Sequence, residues 1–476
     1  MAPPSALLNS LPIELVDLIV SYLNVKDIAS LRLSCRALNE KASYGRFTTF
    51  FRRKNIRLTT HDLERLVYVT SHGCRLACLL QECTVTGVLD RGRNACLPAD
   101  DDVTLAKSTV IKRHTELLTE AFGNIKKATA PRLLTGGGDG RKTPGSGFEL
   151  LHLRVGVRYS GGVLIGVENC GVDLRSVCDM AQRTFRIAMD ALETTQLAVR
   201  SRLDLFHGQS RCSLNSRVFA DVLHEKMVPA TSLRPVFASL QHLAVSLDMP
   251  QHTLAIPEIE RGAVTEDEVG HAGQATERQA YFCTEALHAA LDLVTANAFP
   301  QLDTLNVHWL YVLAPEKSVL EETPLLPLQS STPRLLTTGR RLSSCSLSGT
   351  FTTADFLLQF LQTLQPSHVA LNYSRMPTGT YDTVFSYLAD PASPVTSYDL
   401  DDLVVVGDQN RVYVRFLGPI TPNLSRRGFS ESTTLSRGPG EAKTNICFEP
   451  SSGWPVGSTY YGHWRRQKES VFGPRY

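Results

Sequence analysis

The sequence predicts an α/β protein in which a short three-helix unit at the N-terminus is followed by an irregular array of strand, loop and helix. Two patterns carry this expectation. Between residues 11 and 42 apolar residues recur at helical spacing in three short runs, and from residue 148 onward the spacing Leu-x-x-Leu-x-Leu returns several times with amphipathic helical patterns in between. Composition agrees: 42% of the 476 residues are hydrophobic and 20% charged, enough apolar material for a large core and too much for a chain disordered throughout.

Charge excludes some function classes. The 49 Lys and Arg against 47 Asp and Glu leave a net charge of +2, which gives no global field of the kind that draws a protein to nucleic acid or an anionic membrane. The chain has no run of about 18 uncharged apolar residues, and Met1-Ala-Pro-Pro-Ser lacks the basic stretch of a secretory signal, so a soluble intracellular protein is expected. The 11 cysteines are odd in number and dispersed, which fits reduced thiols and a cytoplasmic or nuclear location. Cys74, Cys78 and Cys83 cluster, yet no second pair stands at zinc-ligand spacing, and they read as buried helix cysteines.

The first helix follows Leu11-Pro12, because proline fits a first helical turn, where its missing N–H costs nothing; Leu15, Leu18, Ile19, Tyr22 and Leu23 then share one face. Asn24 caps a second helix beginning near Lys26, with Asp27 at the positive end of its dipole and Ile28, Leu31 and Leu33 as apolar positions. A third helix spans about Cys35 to Ala42. Three such helices bury little surface alone, so a partner or a following helix must cover what remains apolar.

The order Leu11-Pro12, Glu14-Leu15, Ile19, Leu23, Asp27-Ile28, Leu31-Arg32-Leu33, Cys35-Arg36 and Phe47 resembles an F-box, the motif that docks substrate receptors of cullin-RING ubiquitin ligases on the Skp adaptor. The resemblance covers residues 9–50. It implies a helix-in-groove contact in which a few apolar anchors supply most of the energy, and it assigns adaptor contact to Leu11, Pro12, Leu15, Ile19, Leu23 and Leu31. Without it, helical spacing alone would favour three helices that cap a larger domain.

Residues 51–132 read as a helical connector, with Thr60 capping a helix of Asp62 to Thr70. Arg46, Arg52, Arg53, Lys54 and Arg57 form a short basic cluster, read as a solvated rim and not a nucleic-acid patch. This stretch is similar to the region after the F-box in a group of fungal F-box proteins, a likeness that supplies no chemistry. Residues 133–147, Gly-, Pro- and Ser-rich, read as a linker that divides the chain. Linker is favoured over a phosphate-binding loop there, since Arg141 separates Gly140 from Lys142 and Pro144 follows Thr143 directly.

Residues 148–417 carry the array. Its strands are expected at Phe148-x-x-Leu151-x-Leu153, Leu197-x-Val199, Leu240-x-x-Leu243-x-Val245, Leu302-x-x-Leu305-x-Val307, Leu342-x-x-Cys345-x-Leu347 and Val369-x-Leu371. Helices lie between them: one on Leu174, Val177, Ala181, Phe185, Ala188, Met189 and Leu192, another around Phe282 to Val294, and a third from Phe356 to Leu364 behind Thr352-Thr353. The unit resembles a leucine-rich repeat, and the expected architecture is an irregular leucine-rich-repeat-like α/β solenoid. Its units are longer than the ~20 to 29 residues of a regular repeat, so an ordinary α/β domain stays open as the alternative. In a solenoid the strand side is concave and grips a protein, which makes Asn306, His308, Trp309 and Tyr311 candidate substrate contacts. The polar stretches 257–275 and 315–341 read as exposed loops, and 418–476 as a disordered tail ending in a short aromatic and basic segment.

No catalytic constellation, cofactor motif or metal motif is recognised; Asp401-Asp402 before the apolar run at Leu403 is the nearest thing to a carboxylate pair. The expected function is a non-enzymatic substrate adaptor of an SCF-type ubiquitin ligase, partnered by Skp, through it cullin, and a protein substrate, with neither nucleic acid nor membrane. Two alternatives stay open: an F-box protein of a non-ligase complex, and an unrecognised enzyme domain attached to an F-box.

Overall fold

The computed structural model describes residues 8, 10–43, 46–71, 77–90, 107–129, 147–159, 163–167, 172, 174–209, 211–227, 233–248, 283, 287, 299–310, 341–376, 379–406, 411–417 and 433–451. It opens with helices α1 (Ile13–Tyr22), α2 (Val25–Ser34), α3 (Arg36–Lys41) and α4 (Arg46–Thr49). Pro12 flanks α1 and its carbonyl accepts the amides of Leu15 and Val16, both at 3.2 Å. The expected cap on α2 is present: Asn24 Oδ1 accepts the amides of Lys26 and Asp27 at 3.0 Å. Val16, Val20, Ile28, Leu38, Ala42 and Phe47 form a small core of their own, with Leu11, Leu23, Leu31, Cys35 and Phe51 packed around it.

Behind this unit lies a mixed α/β region with a large, mostly parallel sheet. Its strands are β1 (Arg53–Arg57), β2 (Glu82–Asp90), β3 (Phe148–Arg158), β4 (Leu164–Gly166), β5 (Val199–Leu205), β6 (Leu214–Asn215), β7 (His242–Asp248), β8 (Thr304–Trp309), β9 (Ser344–Ser348), β10 (His368–Asn372), β12 (Ser397–Asp401) and β15 (Thr434–Arg437). Among the described residues the sheet order is β1-β2-β3-β5-β7-β8-β9-β10-β12-β15, with β4 on β3 and β6 on β7. Pairing therefore follows chain order, as expected where each helix returns the chain beside the strand it left. Only β4 and β15 run antiparallel to their partners. Helices α5 (Thr60–Ser71), α6 (Lys107–Thr129), α7 (Leu174–Thr195), α8 (Ser216–Met227), α9 (Ala354–Leu364) and α10 (Asp382–Ala389) alternate with the strands along the chain. A second sheet of β11 (Arg375–Met376), β13 (Val404–Val406), β14 (Arg411–Leu417) and β16 (Cys447–Ser451) sits at the C-terminal end, where the Phe385 ring of α10 meets Phe416 at 5.8 Å and Phe448 at 4.9 Å.

The period-two pattern of the strands builds the core. Register aligns Cys83, Leu151, Leu203, Leu243, Leu305, Cys345, Val369 and Tyr398 into one inward row across the sheet. Every member is buried in a single cluster that runs from Ile56 to Ala442. α7 buries Val177, Ala181, Phe185, Ala188 and Leu192, the spacing its sequence displays. It lies so close to β2 that a Cβ on Gly87 would meet Thr184 Oγ1 and stand 2.8 Å from Met180 Cγ.

Three boundaries read from the sequence need correction. Residues 51–132 are not a connector of helices: they supply β1 and β2 to the large sheet. The Gly-rich stretch does not divide the chain, because β2 and β3 on either side of it pair in parallel from Glu82↔Leu150 to Asp90↔Arg158; of 133–147 only Gly147 is among the described residues. The tail is ordered in part, since β15 pairs with β12 and β16 with β14. Cys83 lies in a strand and not a helix, and its thiol is pushed up by burial. Cys74, Tyr311, the stretch 257–275 and the final fifteen residues lie outside the described residues, as does the helix expected around Phe282 apart from the buried Cys283 and Leu287.

Candidate functional site

Two surfaces gather the residues that sequence reasoning singled out. The first is the face of α1 turned away from its own core. A 10-residue helix has two sides, and the smaller Val16 and Val20 occupy the inward one. Leu15, Leu18, Ile19 and Tyr22 stand on the other at i, i+3, i+4 and i+7, with Leu18 54% and Tyr22 81% exposed. Leu33 on α2 is 87% exposed. A stripe of large apolar groups left in water at helical spacing is the surface a partner covers. Of the six expected anchors, Leu15 and Ile19 project from this face and Pro12 is exposed at its start; Leu11, Leu23 and Leu31 are half-buried against the small core. Leu11 also fixes the entry to α1, because its carbonyl accepts Lys41 Nζ at 2.6 Å. The Arg32 guanidinium lies 3.9 Å over the Phe47 ring, tying α2 to the end of the unit.

Residues 8–49 match the sequence model of the F-box domain. This is an F-box protein. No curated protein matches the chain. F-box domains bind the Skp adaptor and through it cullin, and F-box proteins are usually non-enzymatic adaptors of SCF ubiquitin ligases. The exposed stripe on α1 falls inside the matched segment, as do all six expected anchors. Leu18, Tyr22 and Leu33 belong with them as exposed apolar groups, although the resemblance assigns adaptor contact to none of the three.

The second surface of this F-box protein is the polar face of the large sheet. Residues that alternate with the inward row point to it: Thr84, His152, Asp204, Ala244, Asn306, Ser346, Ala370 and Asp399 align by register. Asp204 is its most constrained charge. His152 Nε2 approaches Asp204 Oδ2 at 2.9 Å, Arg202 reaches the same oxygen at 3.1 Å, and the His207 amide donates to Oδ1 at 3.1 Å. Burial opposes ionisation of this carboxyl, but the hydrogen bond and charge of His152, with His207 and Arg202, outweigh it and hold the group below the usual carboxylate range. Burial likewise lowers the His207 imidazole, and Asp204 offsets this only in part.

Asn306 stands half-buried on this face, as strand alternation predicts. His308 shares the face but is buried at 7% exposure, with Nδ1 2.8 Å from Ser246 Oγ and its ring edge-on to His207 at 6.4 Å between centroids. Trp309 is a correction. It is 1% exposed inside the core, because it has the parity of Leu305 and Val307 and pairs with Leu247. Of the basic cluster, Arg53, Lys54 and Arg57 lie on β1, the edge strand among the described residues, with Arg53 pairing with Glu82 at 2.7 Å, so charge lines that edge. Asp401 accepts from Thr434 Oγ1 at 2.7 Å, while Asp402 is buried in the following turn at φ 49°. Among the described residues no three His, Cys, Asp or Glu side chains are placed to hold a metal ion, and no helix is long and apolar enough to cross a membrane.

Proposed function

We propose that this F-box protein is the substrate-recognition subunit of an SCF ubiquitin ligase, with the polar face of its sheet as the surface that captures a protein substrate. The carrying observation is the apolar stripe Leu15, Leu18, Ile19 and Tyr22, exposed on α1 while Val16 and Val20 on its other side join Ile28, Leu38, Ala42 and Phe47 in the small core. Leu11, Pro12, Leu15, Ile19, Leu23 and Leu31 are the proposed adaptor contacts, the three half-buried ones acting by holding the helices at their angle. The substrate surface is placed around Asn306 and His308. The sheet is read as an irregular leucine-rich-repeat-like solenoid, supported by pairing in chain order and by strand starts at Ser344, His368 and Ser397, which fall within the ~20 to 29 residue repeat of that architecture. The ubiquitin chemistry belongs to other subunits. Affinity capture of the intact chain beside a Leu15→Ala, Ile19→Ala variant tests this: Skp and cullin should be recovered with the first only, and substrates should accumulate on the second. Recovery of Skp without cullin would place the protein in a non-ligase complex.

A further inference from the structure

We infer that the polar face of the sheet takes an extended segment of a partner protein with acidic residues at the end lying over β3 and β5 and basic residues at the end over β12. This rests on the proposed substrate surface and adds the chemistry of its ligand. The middle row of the face, read by register from β5 to β12, is Asp204, Ala244, Asn306, Ser346, Ala370 and Asp399. Ala244 and Ala370 are nearly fully buried and form a floor, while Asn306 and Ser346 are half-buried with short neutral polar groups. Nothing longer than Asn stands in this row between its two aspartates. An extended chain can therefore lie across the strands, and the Asn306 amide and Ser346 hydroxyl can satisfy backbone groups that it brings.

Charge is divided between the two ends. On β3 Arg154 is exposed, on β5 Arg202 is half-exposed, and the carboxylate beside them, Asp204, is already held by His152, Arg202 and the His207 amide. The ionised Asp204 compensates Arg202, so the positive charge that this end presents is that of the exposed Arg154. On β12 Asp399 is 49% exposed at its side chain with His368 Nε2 3.5 Å away, and Asp401 stands two residues further along the same face. That end presents negative charge. Strands lie about 4.8 Å apart, so the path from β3 to β12 spans roughly 29 Å and that from β5 roughly 24 Å. At about 3.3 Å per residue an extended chain crosses this gap in about seven to nine residues. Both spans exceed the screening length of about 8 Å at physiological salt, so each end selects its own charge without being cancelled by the other.

Fluorescent peptides titrated into the full-length chain test the inference. One carries paired Glu and paired Arg separated by about eight neutral Ser, Asn and Gly residues, the spacing derived above; a second carries the same charges side by side, and a third is neutral throughout. The spaced peptide should bind about tenfold more tightly than either control, and Arg154→Glu or Asp399→Lys should each remove most of that margin while leaving the melting temperature unchanged, both side chains being exposed. Equal affinity for the spaced and unspaced peptides, or indifference to both charge reversals, overturns the inference. A photo-crosslinking residue at Ser346 separates the two levels. Specific crosslinking to a captured protein without any peptide preference removes the charge assignment and leaves the surface standing; failure of both removes the surface itself.

Discussion

Ser213 Oγ donates a 2.7 Å hydrogen bond to Asp248 Oδ2 where neither side chain meets water. Burial pushes the Asp248 pKa up from 3.8 to about 6, the bonds from Cys178 and Ser213 offsetting only part of that rise. The folded state thus holds this proton more tightly than the unfolded chain. The contribution is whole below pH ~4 and is lost as the pH rises through about 6, a difference of about 3 kcal/mol. Asp248→Asn keeps an acceptor for Ser213 and cannot ionise, so it should raise the melting temperature at pH 7.5, with a smaller gain at pH 5. Thermal unfolding at the two pH values checks it; a lower melting temperature at both would mean that the anion is required.

The F-box stripe and the F-box core make opposite predictions. Leu15→Ala with Ile19→Ala removes exposed apolar surface at roughly 1 to 3 kcal/mol of binding each, so affinity for immobilised Skp should fall by about a hundredfold or more with the fold intact. Val20→Asp, at a fully buried position, should unfold the helical unit itself. Skp binding that survives the Leu15, Ile19 pair, with folding confirmed by circular dichroism, would remove that face as the docking surface.

Much of this was legible because it was local. The Asn24 cap, the stripe of α1, the buried face of α7 and the strands at Leu243, Leu305 and Cys345 all follow from spacing within a few residues. β1 and β2 were illegible for two reasons. RKNIR has one apolar residue, and ECTVTGVLD, flanked on both sides by the parallel strands β1 and β3, buries neighbours such as Val88 and Leu89 instead of alternating. Their pairing with β3 also spans the Gly-rich stretch, a contact that no local window contains. On α1 the spacing identified the apolar face but not its direction, since the larger residues point outward and two valines fill the core. Position just past Leu305 puts Trp309 among the candidates for the concave surface, whereas its parity with Leu305 puts it inside.

Gly87 predicts how tightly β2 meets α7. A methyl there would meet the Thr184 hydroxyl and the Met180 side chain, so Gly87→Ala should destabilise by about 1 to 3 kcal/mol. Adding Thr184→Ala should recover part of the loss, because it clears one of the two obstructions and removes a buried hydroxyl that makes no hydrogen bond among the described residues. A double-mutant cycle by chemical denaturation measures the coupling, and strict additivity would contradict the contact.

A protease site engineered into residues 135–146 tests whether the Gly-rich stretch separates two units. The pairing of β2 with β3 and the continuous core on both sides of the break should hold the cleaved halves together in gel filtration without denaturant. Separate elution of two folded pieces would restore the division that composition had indicated.

The strand at the centre of the substrate surface offers the sharpest comparison, because neighbouring residues differ in parity alone. Leu305 is 0% exposed in the inward row between Leu243 and Cys345, and no partner for a carboxylate stands among those two neighbours. Leu305→Asp therefore buries a charge in the continuous core and should cost several kcal/mol, enough to abolish cooperative unfolding. Asn306 points to the other face between Ala244 and Ser346 and is half-buried, so Asn306→Asp should leave stability within about 0.5 kcal/mol. It also places a negative charge midway along the polar trough, which should weaken capture of an anionic segment more than a neutral one. Thermal melts of the two variants, followed by binding assays on whichever stays folded, check both halves. If the two melt alike, the inward and outward rows are misassigned at β8, and Asn306 loses its place on the substrate face.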